Sequence, residues 1–590
     1  MKVNMTEKAK NEVKEIVMNA LGRLTAEGKL PAEPIPPFTV EQPADSSHGD
    51  FSCNAALASS KVFRKNPRET AGLISEAAVL DGTLFGRIEV AGPGFINFFL
   101  KPLWFAETVN AAISAGADYG KTDLGKGKKV LVEFVSANPT GPMHIGNARG
   151  GAIGDCLASV LQWAGYHAER EFYVNDAGNQ IEKFGKSLSL RYMQLCSEKG
   201  QQLIYANQND TEKLCAEIYS QSGEGQDFEM PEDVYLGTDI IEHAANYYHD
   251  HIFELQNVSE EDRRKALVDY ALPLNIAGLE RDLKKYRIVY DNWFRESTIH
   301  AKNETKLVVD KLMESGHAYE QDGAVWFKAT EYGLDKDFVL RRSNGLYTYI
   351  VPDIAYHYDK LVTRNFDKAI NVLGADHHGY VPRLKAALTA LGVDASKLDV
   401  VLMQMVRLVR NGEVVKLSKR SGKAITLVTL LDEIPIDAAR FYFNLREANS
   451  QFEFDLDLAV EKSSQNPVYY VQYAHARICS LIRNLAEEGV NIPDSADFDL
   501  LSNPREIELI RHLAALPKEI NLAAKSYDPA KITKYAIDLA TLFHRFYDGC
   551  SVKNAETPEL KNARILLCVA VRHTIRNVLT LLNIEQPEKM

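Results

Sequence analysis

Paired cysteines are missing from this sequence. Its seven cysteines (Cys53, Cys156, Cys196, Cys215, Cys479, Cys550, Cys568) are scattered over 590 residues, and no two stand in a C-x-x-C spacing. That excludes a zinc ribbon or finger, and an odd count in so long a chain fits a reducing compartment. Long apolar runs are missing as well. The most apolar C-terminal stretch, Arg564 to Leu582, is interrupted by Arg572 and Arg576 and is too charged to span a bilayer. Met1 to Leu21 mixes Lys with Glu and lacks the apolar centre of a signal peptide. Nor is there a surplus of positive charge: 68 Lys and Arg stand against 80 Asp and Glu, a formal net charge of −12. This excludes a general nucleic-acid coat or a membrane-surface protein. It leaves room for a selective, salt-sensitive nucleic-acid partner met by local basic patches. The expected setting is the cytoplasm.

Hydrophobic residues at 45% and charged residues at 25% are near the average for folded domains, so wholesale disorder is not expected. The length predicts several domains. Residues 1–30 carry Val13, Ile16, Val17, Leu21 and Leu24 at helical spacing, and the Pro-rich stretch Pro31 to Pro43 ends that pattern. Residues 84–100 alternate around Gly92-Pro93-Gly94 and read as a hairpin or two strands. Residues 1–115 are therefore expected to form a small α+β domain.

After a Gly/Lys-rich connector, Val130 to Val135 is a short apolar run of strand length. The loop SANPTGPMHIGN follows, then helical periodicity from Ala148 to Ala164, then a second strand over 169–175. Strand, loop, helix, strand is a βαβ unit of nucleotide-binding type. Residues 180–290 read as a mostly helical, polar insertion. Val339 to Asp353, Ala369 to Ala375 and Val400 to Val409 are further strand candidates, so the α/β domain is expected to cover 116–465. From 466 to 590 the pattern is helical throughout, with breaks near Pro493, Pro517 and Pro529, an all-α domain. No internal repeat or low-complexity segment interrupts this order.

Two loops carry the chemistry. Pro142-Met143-His144-Ile145-Gly146-Asn147 lies where the first strand gives way to its helix. A helix N-terminus offers unpaired N–H groups and a positive partial charge, which suit phosphates. His144 can donate a hydrogen bond to a phosphate oxygen. Gly146, Gly150 and Gly154 strip one helical face of side chains, for close approach of a ligand or for packing on the sheet. The second loop runs from Lys416 to Lys423 and includes Ser418 and Lys419. Its cations can close on a triphosphate and stabilise departing pyrophosphate. Read alone, the first loop is equally well a tight structural turn, and the second is more often a solvated basic run.

Together the two loops resemble the paired signatures of class I aminoacyl-tRNA synthetases. The segments 132–155 (VEFVSANPTGPMHIGNARGGAIGD), 173–181 (YVNDAGNQI), 416–443 (KLSKRSGKAITLVTLLDEIPIDAARFYF) and 466–478 (NPVYYVQYAHARI) are similar to the arginyl-tRNA synthetase family. The resemblance implies a Rossmann-like catalytic domain at 116–465. It also implies an additional N-terminal domain that meets tRNA and an α-helical anticodon-binding domain at 466–590. ATP with Mg²⁺, L-arginine and tRNA(Arg) are the implied ligands, on a chain expected to be monomeric, with no metal site of its own.

By that resemblance, His144, Asn147, Lys416 and Lys419 are the expected catalytic residues. Pro142, His144, Gly146, Asn147, Lys416, Ser418 and Lys419 would bind ATP. Glu133, Asn138, Tyr349, Asp353 and His377 would bind arginine, whose planar guanidinium needs fixed carboxylates and neutral acceptors. Tyr469, Tyr473 and Arg477 would meet tRNA, since aromatic rings with a nearby Arg stack unpaired bases. The sequence departs from the family pattern twice. Asn147 stands in place of a second signature His, and Gly374 to Tyr380 stands where relatives carry a Gln-rich stretch. A synthetase for cysteine would need zinc ligands, and one for glutamate would not carry an acidic pocket. A silent, RNA-binding paralogue would have no use for His144 with Lys416 and Lys419.

Overall fold

The computed structural model describes residues 4–43, 45–207, 210–223, 225–415 and 425–590. Helix α1 (Met5–Ala26) begins at the cap Asn4, whose side chain accepts the Glu7 N–H, and it buries Val13, Ile16, Val17, Leu21 and Leu24 as their spacing predicts. The short strands β1 (Val40–Glu41) and β2 (Phe51–Cys53) precede α2 (Ala55–Phe63) and α3 (Pro67–Ala77). The hairpin β3 (Phe85–Ala91) and β4 (Phe95–Leu100) completes an antiparallel sheet ordered β1-β2-β4-β3. Gly94 turns the hairpin at φ 141°, where a Cβ would lie 2.8 Å from the Pro67 backbone, so only glycine fits. Helix α4 (Pro102–Ala115) closes this segment.

The catalytic unit spans Gly125–Asn466 with Tyr527–Ala530. Strand β5 (Lys129–Glu133) leads through the signature loop to α5 (Ile145–Trp163) and β6 (His167–Val174). Helices α6 (Asn179–Cys196), α7 (Glu198–Ala206), α8 (Thr211–Ser220), α9 (Thr238–Asp250) and α10 (Glu260–Lys285) follow. They build a core of their own that includes Phe184, Leu188, Tyr192, Ile240, Ile241 and Leu267. The chain then re-enters the sheet through β7 (Asn292–Arg295), α11 (Glu296–Ala301) and α12 (Glu304–Glu314). Strands β8 (Ala318–Gln321), β9 (Ala324–Phe327) and β10 (Phe338–Arg341) form a small antiparallel sheet. Helix α13 (Ile350–Tyr358), β11 (Lys368–Gly374), α14 (Val381–Ala390) and β12 (Leu398–Met403) complete the main sheet. That sheet is parallel, in the order β12-β11-β5-β6-β7. Val130, Leu131 and Val132 are buried, as a central parallel strand covered on both faces requires.

Two expected strands differ from the observed elements. The expected strand over Val339 to Asp353 divides into β10 and the first turn of α13, because Ile350, Val351, Ile354 and Ala355 repeat with helical spacing and Pro352 sits in the first turn, where its missing N–H costs nothing. The expected strand over Val400 to Val409 breaks at Gln404-Met405. Gln404 donates its N–H to Ala448 O at 2.9 Å, and beyond it β13 (Val406–Arg410) enters a second sheet with β14 (Glu413–Val414) and β15 (Phe452–Asp455). Helices α15 (Leu427–Glu433) and α16 (Ile436–Phe443) precede β15, and α17 (Leu456–Val460) follows it.

The last helices are α18 (Pro467–Glu487), α19 (Pro504–Ser526), α20 (Ala530–Gly549) and α21 (Pro558–Leu581). The break expected near Pro517 is absent, since α19 continues through that buried proline. These helices and the first 124 residues fall in one compact unit. Within it Thr6 donates to Ala514 O at 3.2 Å, the Tyr119 hydroxyl to Leu513 O at 2.9 Å, and Arg511 pairs with Asp50 at 2.6 Å.

Candidate active site

The chain leaves β5 at its carboxyl end, with β6 on one side and β11 on the other. This is the switch point of an open parallel sheet, where ligands bind. Glu133 is the last residue of β5 and pairs in register with Asn371 on β11 and Glu171 on β6. Directly beyond it Val135 and Ser136 take φ 69° and 41°. A β-branched residue in the left-handed region is strained, and such strain collects at sites the surrounding fold holds fixed. Ser136 is the hinge of the arrangement: its hydroxyl donates to Glu133 Oε1 at 3.0 Å and accepts the Tyr173 N–H at 3.1 Å.

Ser136 also lines a cleft of about 340 Å³ whose wall includes Asn138, Pro142, His144 and Asn147. His144 caps α5: its Nδ1 accepts the Gly146 N–H at 3.2 Å, and Asn147 Oδ1 accepts the His144 N–H at 3.2 Å. The neutral His144 ring therefore carries its proton on Nε2, free to donate outward, and the Asn147 amide keeps its NH₂ for a further acceptor. Of the glycine stripe, only Gly146, in the first turn of α5, lies beside the loop. A Cβ at Gly150 would touch the Met403 methyl at 3.5 Å, and one at Gly154 would overlap the Phe134 ring at 2.1 Å. That face packs on the sheet itself, the second of the two uses the sequence allowed.

Lys416, Ser418 and Lys419 lie outside the described residues. The chain on their far side is fastened to the signature loop: Thr426 bridges His144, Ile145 donates its N–H to Ile425 O at 3.2 Å, and Leu427 donates to Met143 O at 2.8 Å.

The acidic part of the site forms around α13. Asp353 accepts the Tyr380 hydroxyl and lies near Glu133 and Glu296. Burial pushes its carboxyl up to about 7; the Tyr380 hydroxyl and the Lys360 ammonium work against that rise, and Glu133 and Glu296 add to it. Tyr349, 70% exposed, stands at the mouth with its ring stacked on Tyr380 at 6.0 Å. His377 is exposed and meets Tyr380 edge-on at 6.4 Å. The sequence reading missed Glu296, Tyr380, Tyr173 and Lys360 as members of this cluster. Glu296 is buried at the start of α11, between His300 Nε2 at 3.3 Å and the Asn175 amide at 2.9 Å. Only the order of strands could have brought it to Asp353; the motif segment ending at Ile181 and the Tyr380 hydroxyl were the nearest signals.

In the other unit, Tyr469 and Tyr473 stack in parallel at 6.3 Å, and Tyr473 continues onto His544 at 5.8 Å. Arg477 lies 4.0 Å over the Tyr547 ring and pairs with Asp548 at 3.4 Å.

A nucleotide-type parallel sheet, a capped helix N-terminus at its switch point and an adjoining acidic pocket define a class I synthetase, and comparison with known proteins agrees. Residues 108–480 match the catalytic domain of class I (R) tRNA synthetases, residues 11–100 the arginyl-tRNA synthetase N-terminal domain, and residues 471–590 the DALR anticodon binding domain. An arginine–tRNA ligase from Caldanaerobacter subterraneus subsp. tengcongensis is 49% identical, with both chains covered in full. One from Acetivibrio thermocellus is 47% identical, again with both chains covered in full. The solved arginyl-tRNA synthetase of Thermus thermophilus shares the fold at a TM-score of 0.70 with 21% identity, over 98% of this chain and 100% of that one. The chain belongs to the arginine–tRNA ligase family.

Proposed function

We propose that the chain activates L-arginine with ATP and transfers it to the 3′ end of tRNA(Arg). The arginine carboxylate attacks the α-phosphorus of ATP; the bond to the bridging oxygen breaks, giving arginyl-adenylate and pyrophosphate. A hydroxyl of the terminal adenosine then attacks the adenylate carbonyl and releases AMP. No protein nucleophile is required. Positioning and charge stabilisation carry both steps.

In this reading Asp353 and Glu296 face the guanidinium, and Tyr349 closes over the side chain from the mouth. Glu133 and Asn138 hold the α-amino end, with His377 at the rim. His144 Nε2, the Asn147 amide and the backbone at Pro142 and Gly146 meet the triphosphate. Lys416, Ser418 and Lys419, outside the described residues, are assigned to the triphosphate by the family resemblance alone. Magnesium enters on the triphosphate oxygens, as part of the substrate. The stacked Tyr469 and Tyr473, with Arg477, form a platform for unpaired tRNA bases. The domains expected from the sequence, 1–115, 116–465 and 466–590, divide these tasks. The enzyme works in the cytoplasm as a monomer; among the described residues no helix is long and apolar enough to cross a membrane.

The observation that carries the reading is the half-buried Asp353, grouped with two further carboxylates and three tyrosine rings at the sheet's switch point. Pyrophosphate exchange with each amino acid, with and without tRNA(Arg), tests it. Exchange with arginine alone is expected. Exchange driven by another amino acid, or none in either condition, would overturn it.

A further inference from the structure

Lys360 is, among the described residues, the one lysine that is buried. It lies on the helix that carries Asp353. Asp353, His357 and Lys360 stand at i, i+4 and i+7, so they share one face of α13 and of the π-turn Asp359–Thr363 that extends it. Its ammonium sits 2.5 Å from Glu133 Oε2, 3.4 Å from Asn371 Oδ1 and 3.8 Å above the centre of the Tyr356 ring.

Each of these partners is itself held. The Tyr356 hydroxyl donates to Glu171 at 2.7 Å, and Glu171 receives both guanidinium nitrogens of Arg364 at 3.0 and 2.5 Å. Asn371 donates to His357 Nε2 at 2.8 Å, and His357 Nδ1 donates to the Asp353 carbonyl at 2.8 Å. Burial and the neighbouring ammonium push His357 down to about 3, so its ring is neutral and adds no charge. Arg364 is committed to Glu171. The groups left facing the pocket are Glu133 from β5, Asp353 and Lys360 from α13 and its π-turn, and Glu296 from α11, with the hydroxyls of Tyr173 and Tyr380.

We propose that Lys360 is a positioning residue for arginine recognition: its buried ammonium clamps Glu133 beside Asp353 and lowers the pocket's negative charge to match the two cationic groups of one arginine, whose carboxylate is left to ATP. Three carboxylates against one ammonium leave two negative charges. Arginine brings two cationic groups, its guanidinium and its α-ammonium. Packing alone does not call for the ammonium, since replacing a buried ion pair by apolar groups of similar shape is often neutral for stability. What the ammonium supplies is a fixed Glu133 next to a carboxylate that would otherwise repel it.

This inference rests on the arginine-site reading above. It is tested by aminoacylation of tRNA(Arg) with the full chain at saturating ATP and tRNA, measuring KM for arginine on both sides of neutrality for wild type, Lys360→Met and Glu133→Gln. Lys360→Met removes a cation that favours ionised Asp353. KM for arginine should rise roughly ten- to a hundredfold while KM for ATP stays within about twofold, and the pH midpoint of the arginine KM should move up by roughly one unit. Glu133→Gln removes a repelling neighbour and leaves the ammonium in place, so its midpoint should move down. Damage to packing would not give opposite signs from the two partners of one pair. If Lys360→Met fails to fold, the direction of the Glu133→Gln shift decides alone. An unchanged midpoint in Lys360→Met, or an upward or absent shift in Glu133→Gln, overturns the proposal. Failure of the arginine-site reading looks different: the wild type itself then shows no arginine-dependent charging.

Discussion

The catalytic sheet holds two buried charge clusters that behave in opposite ways. Asp155 on α5 is gripped by Arg170 Nε at 2.7 Å and by Arg440, whose other nitrogen donates to Tyr286 O at 3.1 Å. Burial alone would raise this carboxyl, yet Arg440 and Arg170 hold it below the ordinary carboxylate range. The cluster is closed: the carboxylate has its cations, and the second Arg170 nitrogen has Ser159 at 2.8 Å. Around Asp353 the balance is left open. Three carboxylates share one resident ammonium, and burial pushes Asp353 up to about 7. A structural carboxylate finds its cations within the fold; a site leaves carboxylate charge for its ligand to match.

Breaking the closed cluster should have the largest effect. Asp155→Asn leaves buried guanidiniums without their carboxylate, and a stability loss of roughly 3–5 kcal/mol is expected in urea unfolding. With Asp155 held below its ordinary value, its contribution is full at neutral pH and is lost as pH falls through that lowered value, so the variant's deficit should shrink in acid.

The open cluster should respond the other way. Asp353→Asn is expected to weaken arginine binding by about 2–3 kcal/mol, roughly 30- to 200-fold in KM, with KM for ATP nearly unchanged. Because the folded value of Asp353 is raised to about 7, this carboxylate costs the empty enzyme stability as pH climbs from the ordinary carboxylate value 3.8 through about 7. The variant should therefore unfold no more easily than wild type at neutral pH. A large loss of stability would place Asp353 with the structural clusters.

The same contrast explains what was legible in the sequence. The β5–loop–α5–β6 unit was readable because its signals are local: an apolar run, a Pro/Gly loop and a helical period all fall within 130–175. Glu133, Asp353 and His144 were named as candidates because they match motifs of the resembled family, and those motifs are local in sequence. Glu296 was not, since it reaches Asp353 only through the pairing of β7 with β6, which no local pattern states. Lys360 was hidden for another reason: it stands in helical phase with Asp353 and His357, but a lone lysine at such a position ordinarily reads as a solvated one. The strand expected from Val339 to Asp353 failed because apolar density outweighed period. Pro517 misled because a proline was read as a break where α19 runs on.

The central claim is that the pocket at the switch point is kept short of cations until arginine supplies them. Calorimetry of arginine binding to the full chain, in buffers of different ionisation heat, measures this directly. Below the Asp353 value of about 7, arginine should drive a proton off, approaching one per site, and the release should fade on the alkaline side. Binding that exchanges no proton on the acid side would contradict the account.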